Sequence, residues 1–560
     1  MAPTPLPPMP TTALVVGVTS HRDLDPQQLP ALRAHLLAAL TELRDQFPDL
    51  SLIVLSPLAE GGDRLAAEVG LELGARLVVP LPMPADMYAA DFSTPTSRAQ
   101  FERLLAQAEV IQLPLPADNP DELLHPGPAR DRQYMLAGLH VASHCHVLLA
   151  LWDGRENGGL GGTAQIVRYY LGGPLPGARR ASDNLRQMLA GDDDSLALHL
   201  PAYRDSSTSK RPDAESPVWL TSSSRRPLNA GMPPDYRRIF ERMQTFELDR
   251  RRHAASPRVD WGEDPAERLL HVVDAMAVHY QRRIGAAMRA IHGLAVLMGL
   301  AFLLYADLGA PDWMLWVFLL FFVIGLLIAV VAHRRDWHRK YIDYRALAEG
   351  LRVQTFWRRA GLTMTGDPEF AHDNFMQKQD VELGWIRNVM RQVGLMRLPE
   401  ADDPARAVDA VVEAWIGRPD QSGQLTYYQR KAALRERHHW RTQSLGKACL
   451  WGGIGISFFL ALFHGGLEGI TRNLLVTAMG TLSLIAAVRE AYAYRKADKE
   501  LVKQYRFMHR IYRNARVALD SANSTQERRE ILRALGEATL AEHAEWALMH
   551  RDRPIEHGRP

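Results

Sequence analysis

Cysteine is scarce in this chain, with only two among 560 residues. Cys145 and Cys449 lie in apolar stretches that are predicted to be a buried strand and a membrane span. Two thiols in such places cannot form a disulfide framework, and reduced thiols are typical of an intracellular compartment. The sequence therefore excludes a small disulfide-stapled secreted domain.

Excess charge is lacking too, since 66 Lys and Arg against 64 Asp and Glu give a net charge of +2. A broad nucleic-acid surface needs a basic excess, so we expect no nucleic acid polymer as a partner. The start, MAPTPLPPMP, has neither the charged head nor the apolar run of a signal peptide. At 47% hydrophobic and 23% charged residues, the chain is predicted to be globular, with more than one domain.

Two long stretches lack charge almost entirely. The first, Ile291 to Ala332, consists of two apolar halves around the short link GAPD, and each half approaches the roughly 20 residues that cross a bilayer. The second has arms at Leu445–Phe463 and Leu474–Val488. Buried helices of a soluble protein are the alternative, but the first hairpin shows no amphipathic face. We predict four membrane-spanning helices in two hairpins, inserted by internal sequence.

The flanks of these spans differ in charge. The two turns on one side hold a single Arg472, whereas basic residues cluster on the other side. These are Arg282, Arg283, Arg289, Arg334, Arg335, Arg339, Lys340, Arg435, Arg437, Arg441, Lys447, Arg489, Arg495 and Lys496. By the positive-inside rule, we expect a multi-pass protein of the inner (cytoplasmic) membrane with both termini and all long helices in the cytoplasm.

Residues 11–175 alternate apolar strands with helices. The runs ALVV, LSLIVL, ARLVVPLPMP and HVLLALWDG read as strands, the last as the final one, and SRAQFERLLAQAEV reads as a helix between the third and the last. Such alternation predicts a parallel sheet with helices on both faces. The fold class is therefore a Rossmann-like doubly wound α/β N-terminal domain, followed by an all-α membrane domain.

Three glycine-containing loops are predicted at the carboxyl edge of this sheet, where ligands bind in such folds: Gly17 to Arg22, Glu60 to Arg64 and Asp153 to Thr163. Glycines and helix-start amides accommodate phosphate, Arg22 and Arg64 pair with it, and Glu60, Asp63 or Asp153 take ribose hydroxyls. A nucleotide or nucleotide-derived ligand is the natural inference, although any doubly wound fold needs glycines at strand ends. The candidate ligand-binding residues are Gly17, Ser20, His21, Arg22, Glu60, Gly61, Asp63, Arg64, Asp153, Gly158, Gly159, Gly161, Gly162 and Thr163.

The rest of the chain is predicted to contain three further segments. Residues 176–262 read as a flexible Ser/Pro/Arg-rich linker with a helix, and residues 263–400 and 401–554 as two similar two-span modules. The alternative is that the two modules are unrelated, because the positive-inside rule alone would give basic flanks to any two hairpins. Apolar positions at helical spacing in the trailing helices suit packing between subunits, so we expect a homo-oligomer.

The ordered motifs GVTSHRDL, PLAEGGDRLA, LVVPLPMP, RQYMLAG and HVLLALWDG with GGTAQIVRY resemble the SLOG superfamily. These Rossmannoid domains include LOG-type nucleotide phosphoribohydrolases, DprA and the N-terminal regions of TRPM channels. LOG-type enzymes carry a catalytic Glu after their Gly-rich motif. Gly162 and Thr163 match that motif here, but the position of the Glu is Ile166. The resemblance therefore implies nucleotide binding without the usual catalytic carboxylate.

The hairpins with their trailing helices, and the closing LGEATLAEHAEWALMHRDRP, resemble SLATT domains, two-span modules of prokaryotic conflict systems. This resemblance implies an antiviral defence effector that is switched by a nucleotide. Such an effector acts by oligomerising and perturbing or perforating the membrane, and it requires no enzyme chemistry. Two alternatives stay open: a tethered hydrolase using Glu60 or Asp153, and a ligand-gated ion channel. No cofactor or metal is expected. The histidine groups His140, His144 and His146, and His438 and His439, are interpreted as core or interface residues.

Overall fold

The computed structural model describes residues 11–115, 125–156, 159–175, 195–205, 216–254, 264–373, 375–376, 381–397, 403–418, 421–463, 467–496 and 498–551. The chain divides into two units. The first comprises residues 1–272 and 350–401, and the second comprises residues 273–349 and 402–560. The four predicted segments are consecutive in the chain. The two units are not, because residues 350–401, which follow the first hairpin, belong to the first unit.

The first unit contains an eight-stranded sheet of order β4-β3-β2-β1-β5-β6-β7-β8. The first six strands in this order are parallel, and β7 and β8 are antiparallel. The strands are β1 Ala13–Ser20, β2 Ser51–Leu55, β3 Arg76–Leu81, β4 Ala108–Gln112, β5 Val147–Trp152, β6 Ala197–Pro201, β7 Val218–Leu220 and β8 Arg225–Pro227. The sheet is thus parallel through most of its width, with an antiparallel margin.

Sixteen α-helices lie in the described residues. They are α1 Leu29–Gln46, α2 Gly62–Glu72, α3 Ala85–Ala89, α4 Pro95–Leu105, α5 Pro128–His144, α6 Thr163–Tyr170, α7 Pro234–Ala254, α8 Pro265–Leu308, α9 Trp313–Arg334, α10 Trp337–Arg359, α11 Gly384–Gly394, α12 Pro404–Val411, α13 Gly423–Phe463, α14 Gly469–Lys496, α15 Asp498–Ser521 and α16 Thr525–Arg551.

Helices cover both faces of the sheet. A Cβ added at Gly17 would meet Val141 of α5, and one added at Gly62 of α2 would meet Ser20. Gly17 and Ser20 are three residues apart on one strand and therefore point to opposite faces. Burial on both sides explains why β1 is an unbroken apolar run rather than an alternating one.

Two details of the predicted sheet are wrong. The stretch SRAQFERLLAQAEV was predicted to be one helix, but α4 ends at Leu105 and the next residues begin β4. The run HVLLALWDG was predicted to be the final strand, but β6 pairs beside it and β7 and β8 extend the sheet. The added strands are short, and edge strands of three to five residues give little periodic signal.

The prediction of four spans is confirmed at the level of length and composition. Within the described chain, α8, α9, α13 and the helix that begins at Gly469 are long and apolar enough to cross a membrane. The link between α8 and α9 is the predicted GAPD, residues 309–312. The second turn is shorter than predicted, because α14 already begins at Gly469.

In the second unit, a row of small residues brings α8 and α14 together. Gly480 lies against Leu303, whose Cδ2 is 3.0 Å from the place of a Cβ. A Cβ on Gly299 would collide with Leu484. At one end of the row, Thr477 Oγ1 lies 3.5 Å from Asp307 Oδ2 and 3.0 Å from the Asn473 carbonyl oxygen, which is the closer acceptor for its hydroxyl. Each glycine thus makes room for a leucine side chain of the facing helix, and small residues are enriched at the contacts of membrane helices.

This row predicts the effect of adding bulk. Gly299→Leu should lower the free energy of unfolding by about 1–3 kcal/mol, because Leu484 occupies the space that the new side chain needs. Gly293 lies on the same helix with nothing within 4 Å of an added Cβ, so Gly293→Leu is the matched control and should be near neutral. Denaturant unfolding of both variants in neutral detergent measures the difference, and equal stabilities would refute the close packing.

Three buried histidines of the first unit hold the segment after α10. His140 Nδ1 donates to the Asp367 carbonyl at 2.7 Å, and His146 Nε2 donates to the Asn388 carbonyl at 2.9 Å. The His144 ring stacks on His140 with centroids 4.2 Å apart. Burial lowers the pKa of His140 to about 4 and of His146 to about 3, and lowers that of His144 well below its ordinary value. All three are therefore neutral in the folded protein.

Acid should destabilise this unit. Between pH 6.5 and about 4, the unfolded chain binds protons at these histidines that the folded chain does not, so stability falls as pH falls. His140→Asn, which keeps a donor for Asp367, should reduce the slope of unfolding free energy against pH by about 1.4 kcal/mol per unit. Denaturant titrations across this range test the expectation. The exposed His35→Asn is the control, and an unchanged slope in His140→Asn would contradict it.

Candidate functional site at the carboxyl edge of the sheet

The strand order reverses beside β1. The chain adds β2, β3 and β4 on one side of β1 and then returns to place β5 and β6 on the other. In parallel sheets, a crevice opens between the loops that leave two strands at such a reversal. The loops after β1 and β5 meet here, so they form the natural place to look for a ligand site.

His21 and Asp153 join these two loops. His21 Nε2 lies 3.3 Å from Asp153 Oδ1, and Arg204 Nη2 lies 3.3 Å from His21 Nδ1. Arg204 can only donate, and the Asp153 amide donates to Nε2 at 3.2 Å, so a hydrogen-bond donor faces each nitrogen of the His21 ring. Burial and then Arg204 lower the pKa of His21, while Asp153 offsets part of the effect. The structure thus brings together two of the residues that the sequence placed at this edge.

Gly17 is not in a loop, contrary to the sequence prediction. β1 continues to Ser20, and a Cβ on Gly17 would lie 2.7 Å from Cys145 Cβ. The absence of a side chain at Gly17 allows α5 to pack closely against the sheet. Gly61 has φ +85°, and an added Cβ would lie 2.5 Å from the carbonyl oxygens of His21 and Arg22. It therefore allows the loop after β2 to press against the loop after β1.

Asp63 is buried at the start of α2. Its Oδ1 accepts a 2.7 Å hydrogen bond from the Ser20 hydroxyl. Burial raises the pKa of this carboxyl to about 7, although Ser20, the Ala59 amide, Arg22 and Arg64 act in the opposite direction. With 3% of its surface exposed, Asp63 supports the end of β1 and does not face solvent.

Arg64 and Glu60 are engaged with α4. Arg64 is buried, its Nε donates to the Leu58 carbonyl at 3.0 Å, and its Nη1 donates to Ser97 Oγ at 2.7 Å. Glu60 accepts hydrogen bonds from Ser97 Oγ and from Ser93. Nη2 of Arg64 has no hydrogen-bond partner among the described residues. Most of the Arg64 donors and the Glu60 carboxylate, which were predicted to bind phosphate or ribose, thus already have hydrogen-bond partners within the first unit.

Arg22 is different because it is exposed. Its guanidinium lies over the Tyr134 ring, 4.7 Å from the centroid. The Tyr134 hydroxyl donates to Asp91 and accepts from Arg130 Nε at 3.0 Å, and Arg130 also pairs with Asp91 at 2.9 Å. The three residues behind Arg22 were missed from sequence. Tyr134 and Arg130 lie 43 and 39 residues beyond Asp91, and only the RQY start of α5 hinted at them.

The loop after β5 completes the edge. The Thr163 hydroxyl donates to the Ser20 carbonyl at 2.8 Å, which fixes the first turn of α6 beside β1. Gly161 has φ +75°, and its Cβ would lie 2.7 Å from the Met135 backbone. Gly159 and Gly162 precede that turn, and Gly159 has open space around it. Gly158 lies outside the described residues.

The edge therefore presents Arg22 to solvent, whereas Thr163 and Ala164 at the start of α6 are buried. The α6 amino end and Arg22 supply hydrogen-bond donors and positive charge, which suit a phosphate group. Among the described residues, no group of three or more His, Cys, Asp or Glu is arranged to hold a metal ion. The chemistry that the arrangement supports is anion binding.

Asp63 should make stability depend on pH in the opposite sense to the histidines. Its folded pKa is raised, so its contribution falls as pH rises from about 4 through 7. Asp63→Asn should exceed the wild type in stability at pH 8, by at most about 4 kcal/mol, and the two should converge near pH 4. Thermal unfolding at both pH values, with the exposed Asp45→Asn as control, tests this. Destabilisation at pH 8 would show instead that Arg22 or Arg64 stabilises the charged form.

Comparison with known proteins gives no functional assignment to set beside this geometry. No protein-family model matches the chain, and no curated protein matches it significantly. The candidate site therefore stands on its own residues, namely the contact between the β1 and β5 loops, the start of α6 and the exposed Arg22.

Proposed function

We propose that this protein is a membrane-embedded effector that binds a nucleotide or nucleotide-derived signal in its first unit and responds by oligomerising and perturbing or perforating the membrane. One observation carries the proposal: a single chain combines an exposed arginine at the carboxyl edge of a parallel sheet with four helices of membrane-spanning length. The role in antiviral defence comes from the resemblance to SLOG and SLATT domains.

In this proposal, the ligand binds where the strand order reverses between β1 and β5. If the sheet binds ligands as Rossmann-like doubly wound sheets do, the phosphate of the ligand lies at the start of α6, near Thr163. Arg22 is then the cation that pairs with this phosphate. Tyr134 adds an aromatic ring beside that guanidinium. Because Arg22 covers a face of that ring, the feature of a nucleotide that this edge suits is its phosphate.

Binding without hydrolysis is favoured by Ile166. This residue stands where LOG-type enzymes have their catalytic Glu, and it is buried. A Cβ on Gly138 of α5 would lie 2.6 Å from Ile166 Cδ1, so the side chain fills the contact between α5 and α6. A carboxylate is absent from this position, and the apolar contact gives Ile166 a packing role instead.

Helix α8 provides the covalent route to the membrane. It runs without interruption from Pro265 to Leu308 and includes residues of both units. A ligand that prefers one conformation of the first unit shifts the population toward it, and the helix carries the bias to the spans. In the proposal, both termini lie in the cytoplasm and the spans cross the inner membrane, as the basic flanks indicate.

The test is calorimetric titration of the full chain, in nanodiscs of neutral lipid, with mono-, di- and cyclic oligonucleotides. One of these should bind, and Arg22→Ala should weaken binding about tenfold or more through loss of a charge-assisted hydrogen bond. Gly162→Asp, which brings a negative charge to the start of α6, should weaken it as well. Arg33→Ala, a partly exposed arginine of the same unit that pairs with Glu72, is the matched control.

The bound nucleotide should then release dye from liposomes that contain the wild type and leave Arg22→Ala liposomes intact. Absence of binding across the panel would end the nucleotide proposal. Release of free base or ribose phosphate during the titration would favour the tethered hydrolase, and ion conductance without dye release would favour the channel.

A further inference from the structure

A groove lies between α13 and α15 in the second unit, with a volume of about 560 Å³. One face of α15 lines it with Arg506, His509, Arg510 and Arg513, at the spacing of successive helical turns. The facing side of α13 contributes Gln429, Ala432, Ala433 and Glu436. The two alanines leave the space between the helices open.

Tyrosines behind the groove fix its width. Tyr428 of α13 and Tyr512 of α15 are both buried, and their rings stack with centroids 5.5 Å apart. His509 adds a bond across the pair, since its Nδ1 lies 3.3 Å from the Leu425 carbonyl oxygen. The cationic side chains are therefore mounted on helices that already pack together, which lowers the cost of ordering them around a ligand.

Positive charge in the groove is only partly balanced. Arg506 pairs with Glu436 at 2.6 Å, and both side chains are more than half exposed. Such an exposed pair contributes little to stability. Arg510 and Arg513 have no carboxylate partner in the described part of the chain, and they lie one helical turn apart. An anion placed between them relieves their repulsion and accepts several charge-assisted hydrogen bonds.

The groove lies beyond the reach of lipid headgroups. Glu436, its lining residue nearest to the apolar stretch of α13, is nine residues before Leu445, or about 14 Å along a helix. The headgroup layer on each side of a bilayer is roughly 5–8 Å thick. A soluble anion therefore fits the position better than a membrane phosphate.

We propose that the α13–α15 groove binds a compact, multiply phosphorylated soluble anion, with Arg510 and Arg513 as its main contacts and Ala432 and Ala433 as its floor. The volume falls in the range of small-molecule sites. The bound anion bridges the helix that leads into the third span and the helix that follows the fourth. This site is separate from the nucleotide site proposed for the first unit.

Inorganic tripolyphosphate is the probe, titrated calorimetrically into the full chain in nanodiscs of neutral lipid. Arg510→Gln/Arg513→Gln should weaken binding about tenfold or more. Ala433→Phe changes no charge and should weaken it similarly by filling the groove. Arg437→Gln/Lys503→Gln removes the same charge from exposed positions of the same two helices outside the groove, and it should bind as the wild type does.

Equal weakening in the Arg437/Lys503 control, or no effect of the two groove variants, would overturn the proposal. The proposal would also be overturned if the protein bound only vesicles that contain phosphatidic acid and did not bind tripolyphosphate, because the phosphate would then come from lipid. Arg22→Ala separates the two sites: the groove proposal requires tripolyphosphate binding to persist in that variant, and its loss there would assign the anion to the sheet edge.

Discussion

The first unit depends on the complete burial of β1. Its residues Ala13 to Val18 are enclosed by helices on both faces and by parallel neighbours on both edges. A strand in that position must have every polar backbone group satisfied. Distant side chains do this at its start, where Glu247 accepts from the Thr12 amide at 3.1 Å and Gln392 accepts from the Ala13 amide at 2.9 Å.

The carboxyl end of β1 is held just as firmly, and this limits what a ligand can use there. Ser20 binds Asp63 through its hydroxyl and Thr163 through its carbonyl. The glycines at Gly61 and Gly161 are explained by close backbone approaches rather than by room for phosphate. Arg22 lies two residues past Ser20 and is exposed, and the proposed ligand recognition at this edge depends on it most.

Sequence reasoning succeeded where a local pattern carried the physics. β1 and β5 are apolar on both faces, and the spans meet a length requirement that the bilayer sets, so each was recognisable by itself. It failed at β4, because AEVIQ continues the apolar spacing of α4, and at β6 to β8, which are short. Asp91 meets Tyr134 and Arg130 of α5 only through the fold. The buried state of Arg64 was equally invisible, since its partner Ser97 lies 33 residues away.

The spans divide into two kinds by what surrounds them. On α8, α13 and α14, an added Cβ at Gly299, Gly453 or Gly480 would have a neighbouring atom within 3.4 Å, whereas at Gly325 of α9 the nearest is at 3.9 Å. The most apolar 18-residue stretch of α9 has no buried residue, and Trp316 is 72% exposed. Water around such a helix would drive aggregation, because soluble proteins rarely expose apolar patches of that size. A helix with all its backbone groups paired internally and bulky apolar side chains all round is suited to lipid as its solvent. The composition of α9 therefore argues more directly for a bilayer than its length does.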